Sequence, residues 1–200
     1  MSRLTVGSIE GLTENSNVIS VPAGHSLTVG GNAVSTTDPG LVLVTSSAFS
    51  DVTSVSVDNC FTSTYRNYRI ILSTQISGTD QIRMRMRASS SDDTGTNYDS
   101  QRIYAFGTTI GASRDLDLSF WYLAPPGGNT RPSPTVIDIL NPQTATNTTG
   151  VFYGYYDSDV RISQGTFLSD ATTQFDGFTL YMSGSNTVSG NYFVYGYKGT

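Results

Sequence analysis

The chain has 200 residues, 37% of them hydrophobic and only 14% charged, with a formal net charge of −5. That length supports one sandwich-sized core plus a short extension, and 12 tyrosines and 9 phenylalanines exclude a disordered acidic tail. The acidic balance excludes a generic nucleic-acid binder, which needs basic surface to displace counterions.

Lys198 is the only lysine, so the other positive side chains are arginines, the residue favoured for partly buried charges and forked hydrogen bonds. Cys60 is the only cysteine, which rules out an intramolecular disulfide. No apolar run is long enough to span a bilayer, and Met1-Ser-Arg opens no signal peptide. The expectation is synthesis in a cytoplasm, reduced folding, no membrane insertion, and stability from packing or assembly.

From Leu4 to about Val44 the chain carries short β-prone runs: Leu4-Thr5-Val6, Val18 to Val21, Leu27 to Val29 and Leu41 to Val44. Turn residues separate them, and no run can bury a face alone. Residues 1–45 are therefore expected to form an extended anchoring or trimerisation segment, and residues 46–200 a separate domain. Beyond Ser46 the strands lengthen and alternate. Ser54 to Val57 and Tyr68 to Leu72 come first. In Gln81 to Ala88, Ile82, Met84 and Met86 lie on one face and Arg83, Arg85 and Arg87 on the other. Further strands are expected at 101–107, 117–123, 134–140, 150–157, 174–182 and 191–198. The loops between them carry turn chemistry, as in Pro125-Pro126-Gly127-Gly128-Asn129. No stretch has a sustained helical period. The pattern predicts an all-β chain, a jelly-roll-like antiparallel β-sandwich preceded by the extended segment.

Several residues carry a resemblance. Val55-Ser-Val-Asp-Asn-Cys-Phe-Thr-Ser-Thr-Tyr-Arg-Asn-Tyr-Arg-Ile-Ile-Leu72, Arg83-Met-Arg-Met-Arg-Ala88, Asn97-Tyr98, Phe175-Asp-Gly-Phe-Thr-Leu180 and Val194-Tyr-Gly196 are similar to the β-sandwich domain of bacteriophage tail-fibre and minor tail proteins. Ile9-Glu-Gly-Leu12 and Val21-Pro-Ala-Gly-His-Ser-Leu27 resemble a segment that precedes such domains in phage structural proteins. The resemblance covers nearly the whole chain, and its motifs are signatures of fold rather than of catalysis. It implies a non-enzymatic virion surface protein of tail-fibre or receptor-binding type, a homotrimer in contact with other virion proteins and a host cell-surface glycan. Only some forty residues precede the sandwich, far fewer than a long fibre shaft needs, so a capsid-decoration or head-fibre protein is the alternative.

Catalytic arrangements have little to work with. His25 is the only histidine and sits between β runs, which leaves a nucleophilic triad or a zinc site short of partners. Cys60 lies in an apolar setting and is expected to be buried. The acid pairs Asp115/Asp117 and Asp157/Asp159 admit a polysaccharide depolymerase, with strand-terminating aspartates as the simpler reading. The Asp92-Asp93-Thr-Gly-Thr-Asn97 loop offers oxygens to a calcium ion but fails the EF-hand spacing and reads more simply as a polar turn. No cofactor is called for. The expected contact residues are of two kinds. Arg83, Arg85 and Arg87 form a ladder of like charge that needs acceptors or a partner, and Tyr195 and Tyr197 belong to a strand with large groups on both faces. Trp121, Tyr122, Tyr153, Tyr155 and Tyr156 are suited either to subunit packing or to stacking on sugar rings.

Overall fold

The computed structural model describes residues 40–123, 132–156 and 161–198, together with the backbone of two short strands nearer the N-terminus. The chain forms two compact units, Met1–Asp38 and Pro39–Thr200. In the first, β1 (Thr28–Val29) and β2 (Asn32–Ala33) pair antiparallel. His25 lies outside the described residues.

Every regular element described in the second unit is a strand. In chain order these are β3 (Leu41–Val52), β4 (Ser54–Val57), β5 (Asn67–Ile76), β6 (Ile82–Ala88), β7 (Ser91–Asp92), β8 (Tyr98–Phe106) and β9 (Thr109–Leu118). They continue with β10 (Trp121–Tyr122), β11 (Ser133–Leu140), β12 (Thr148–Tyr156), β13 (Arg161–Ser169), β14 (Gly177–Met182) and β15 (Val188–Tyr197). A five-stranded sheet runs β10–β6–β14–β4 with β7 paired to β6, and an eight-stranded sheet runs β3–β15–β5–β11–β12–β13–β8–β9. All the pairings are antiparallel, and the sheets pack as a sandwich. The pairs β3/β4, β5/β6, β10/β11 and β14/β15 each send successive strands to opposite sheets. A jelly-roll-like path needs that alternation. Here the β8–β9 and β12–β13 pairs widen one sheet to eight strands, so the architecture is given as an antiparallel two-sheet sandwich.

Period-two patterning builds the core. In β5 the inward residues Tyr68, Ile70, Leu72, Thr74 and Ile76 are buried, and in β6 Ile82, Met84 and Met86 are buried beneath the outward arginines. One core cluster joins both sheets: Ile137, Ile139 and Val194 from the large sheet meet Met84, Phe178 and Leu180 from the small one. At its centre Phe167 stacks on Phe152 (ring centroids 4.7 Å apart) and on Trp121 (4.8 Å). Tyr98 meets Trp121 edge-on at 5.1 Å.

The structure corrects three expectations. Leu41 to Val44 do not belong with the N-terminal segment, because they open β3, which pairs with β15. The stretch 117–123 is two elements, since β9 ends at Leu118 and β10 holds only Trp121 and Tyr122. Strands β9 and β13 were not expected. Both carry glycine and many polar residues, and both gain their strand character from the neighbour they pair with rather than from intrinsic preference.

Phe167→Ala removes the ring that two other aromatic rings rest on, and it should destabilise the unit by about 3–5 kcal/mol, read as a lower urea midpoint.

Candidate functional site

The outward faces of the two sheets hold the surface residues of interest. On the small sheet, Arg83 has Tyr181 and Tyr122 as its cross-strand neighbours, and Arg85 faces Thr179. The Arg83 guanidinium lies 4.1 Å over the Phe120 ring and 5.6 Å from that of Tyr122. Arg85 lies 4.7 Å over Tyr181 and donates through Nε to the Ser119 carbonyl at 2.8 Å. From β8 of the large sheet, Arg102 reaches the Tyr122 ring at 4.6 Å. Phe120 meets Tyr122 edge-on at 4.9 Å and Tyr181 at 6.4 Å. Three guanidiniums and three rings thus form one continuous cluster, in which ring quadrupoles offset part of the charge. Burial raises the Tyr181 hydroxyl pKa, with Arg85 and Arg83 pulling against it.

Arg87 differs from the other two. It is 9% exposed, donates Nε to Asp58 Oδ1 at 2.7 Å, and pairs with Asp92 and Thr179. It also donates Nη2 to the Ser90 carbonyl at 2.5 Å. Ser89 and Ser90 both adopt positive φ (51° and 62°) in the two-residue β6–β7 turn, a conformation that non-glycine residues adopt at a cost. Arg87 and the Asp176 carboxylate, which accepts from the Ser89 N–H at 2.9 Å, hold that turn. Arg87 is an internal clamp, and its expected role as a subunit contact is corrected.

Trp121 is corrected too. It is fully buried and its Nε1–H donates to the Leu168 carbonyl at 3.1 Å, so it has no face to offer a sugar. Tyr122 belongs to the arginine cluster. The backbone of Tyr156 closes β12, while its side chain lies outside the described residues, as do Asp157 and Asp159.

The outward face of the large sheet is apolar over much of its width. One row of cross-strand neighbours runs Phe193, Ile71, Val136, Tyr153, Gln164 and Ile103. The row beside it runs Tyr155, Ile162, Ala105 and Ile110. Tyr153 is 52% exposed, Ile162 55% and Ile110 80%. A hollow of about 440 Å³ is lined by Ile103, Ile110, Val136, Tyr153, Tyr155 and Ile162 among others. Tyr195 and Tyr197 lie on this outward face toward the β3 edge, and Tyr197 donates to Asp138 Oδ1 at 2.7 Å. Arg69 grips the same carboxylate with Nε and Nη2 at 2.8 and 2.7 Å.

The remaining candidates are held by the chain itself. Asp115 contacts Arg102 Nη2 and Ser100 at 3.4 Å, while Asp117 sits at φ 54° near the end of β9. Asp93 Oδ1 accepts from the Gly95 N–H at 2.9 Å and Asp92 pairs with Arg87. Among the described residues no three His, Cys, Asp or Glu side chains are grouped to hold a metal ion. Cys60 is buried, and burial pushes its thiol pKa up. Sequence reasoning missed Phe120, Tyr181 and Arg102, and on the large sheet Ile103, Ile110 and Ile162. Strand register brings Tyr181 and the three isoleucines into place, and contact between the two sheets brings Arg102. Comparison with family models, characterised proteins and solved structures gives no match.

Burial alone would raise the Asp138 carboxyl, but the bonds from Arg69 and Tyr197 outweigh it and hold the group below its ordinary 3.8. A depressed folded pKa gives stability that is present above 3.8 and lost as the pH falls through the folded value. Asp138→Asn should therefore flatten the loss of stability below pH 3.8, read from denaturant midpoints across an acid series.

Proposed function

We propose that this chain is a non-enzymatic structural protein of the bacteriophage virion exterior, of tail-fibre or receptor-binding type, acting as a homotrimer. The observation that carries the reading is the apolar outward face of the eight-stranded sheet. An antiparallel sheet with water on one side ordinarily alternates apolar-in and polar-out, and a contiguous exposed apolar patch marks an interaction surface. In this reading copies of the chain cover each other's Tyr153, Ile103 and Ile162 faces, and the assembly presents its other surfaces outward. Several weak contacts then multiply through symmetry. The resemblance of the strand motifs to phage tail-fibre sandwiches supports the virion setting. The engagement of Asp115, Asp138, Asp92 and Asp58 in bonds to the chain's own arginines supports a binding role over acid–base chemistry.

Light scattering on the purified chain should return a three-chain mass. Ile162→Asp should drop it to one chain while leaving the monomer's stability within about 0.5 kcal/mol, as an exposed substitution does. A wild-type chain that stays monomeric at high concentration would overturn the oligomer. Gold-labelled antibody on intact particles tests the setting: label at the tail supports the receptor-binding type, label spread over the head replaces it with a decoration protein, and no label on particles ends the virion reading.

A further inference from the structure

The arginine–aromatic cluster on the small sheet has an electrostatic deficit that the protein does not fill. Among the described residues, the ion pairs involve Arg69, Arg87 and Arg102, and none reaches Arg83 or Arg85. Arg83 Nε and Arg102 Nη1 are buried without an acceptor. Arg102 has only Asp115 as its carboxylate, at 3.4 Å. This gathering of positive charge occurs in a chain whose net charge is −5.

Stacking on Phe120, Tyr122 and Tyr181 accommodates the guanidinium faces but leaves the in-plane N–H groups to be satisfied. Arg83, Arg85 and Arg102 are each partly exposed, so the N–H groups at the surface of the cluster are open to an anionic oxygen. A guanidinium fork matches a carboxylate in two parallel bonds.

We infer that Arg83, Arg85 and Arg102, with the hydroxyl of Tyr122, form a binding site for the carboxylate of an acidic polysaccharide. The carboxylate meets Arg83 and Arg102, and the Tyr122 hydroxyl hydrogen-bonds a sugar hydroxyl at the rim. A long polyanion such as nucleic acid is disfavoured by the acidic remainder of the molecule. The site stands on this geometry, while its use as a receptor contact rests on the function proposed above.

The test is calorimetric titration of the full chain with trigalacturonate, with the neutral galactose trisaccharide and with inorganic phosphate. The expected result is binding of trigalacturonate, weakened by salt, with no heat from the neutral sugar and weaker binding of phosphate. Arg83→Gln and Arg85→Gln should each weaken trigalacturonate binding about tenfold or more, titrated at a temperature where circular dichroism shows each variant folded. Arg114→Gln, an equal loss of charge at an exposed position on β9, should leave it unchanged. Phosphate binding as tight as trigalacturonate would overturn the sugar assignment. Absence of binding to trigalacturonate would overturn the site, and a lower assembly mass in Arg83→Gln would then identify the cluster as a subunit contact. Either failure leaves the particle-labelling result untouched, so the site and the virion reading fall separately.

Discussion

Two sheets of unequal width share one core, and much of the molecule's surface follows from that mismatch. The five-stranded sheet ends at β10. Trp121 therefore closes the core as the last inward residue of that sheet, while Tyr122, one residue on, faces out and meets Arg102 at the boundary. Farther along β8 the inward-pointing Tyr104 and Phe106 are half-exposed, and Phe106 is capped by Arg161, whose guanidinium lies 3.8 Å over its ring. Aromatic residues here stand where a covering sheet has run out, and arginines cover them instead.

The near-absence of lysine acquires a physical meaning in this setting. Each buried or stacked cation uses the planarity of guanidinium: Arg69 forks onto Asp138, Arg87 reaches Asp58, Asp92, Thr179 and Ser90, and Arg83 lies flat on Phe120. An ammonium group is a point charge that cannot bond along its edge and stack on its face together. Arg87 and Arg83 lie four residues apart on one strand face, yet one is buried in pairs with the protein's own acids while the other has none. The acids explain the difference: Asp58 and Asp92 flank the β6–β7 end of the sheet, and the β10 end is flanked by aromatics.

Alternation was the part of the fold that could be read directly. The Ile82/Met84/Met86 face opposite Arg83/Arg85/Arg87 is a local property of β6, and the structure has it as read. The all-β class and the sandwich were legible for the same reason. Strands β9 and β13 were hidden because polar sequences such as Ser163-Gln164-Gly165-Thr166 become strands only when a partner strand lends its hydrogen bonds. Trp121 was misplaced because a two-residue strand has no period from which to tell inward from outward. The two surface clusters were only half visible. Tyr122, Tyr153 and Arg83 could be singled out by type, but Tyr181 and Ile162 join them through cross-strand register, and Arg102 reaches Tyr122 from the opposite sheet; no single stretch of chain encodes either.

The stacked rings of Phe152 and Phe167 rest on a reciprocal arrangement. Phe152 stands directly opposite Gly165, and Phe167 directly opposite Gly150. A methyl group on Gly165 would come within 2.6 Å of the Phe152 ring, and one on Gly150 would come within 2.6 Å of the Asp138 carbonyl and 3.4 Å of the Phe167 ring. Backbone closes both sites as well, since the methyl on Gly165 would also lie 2.5 Å from the Gln101 carbonyl. Shrinking the facing ring would not open either site, so the two glycines are held by the ladder itself. Aligned descendants would therefore keep glycine at 150 and 165 whatever stands at 152 and 167.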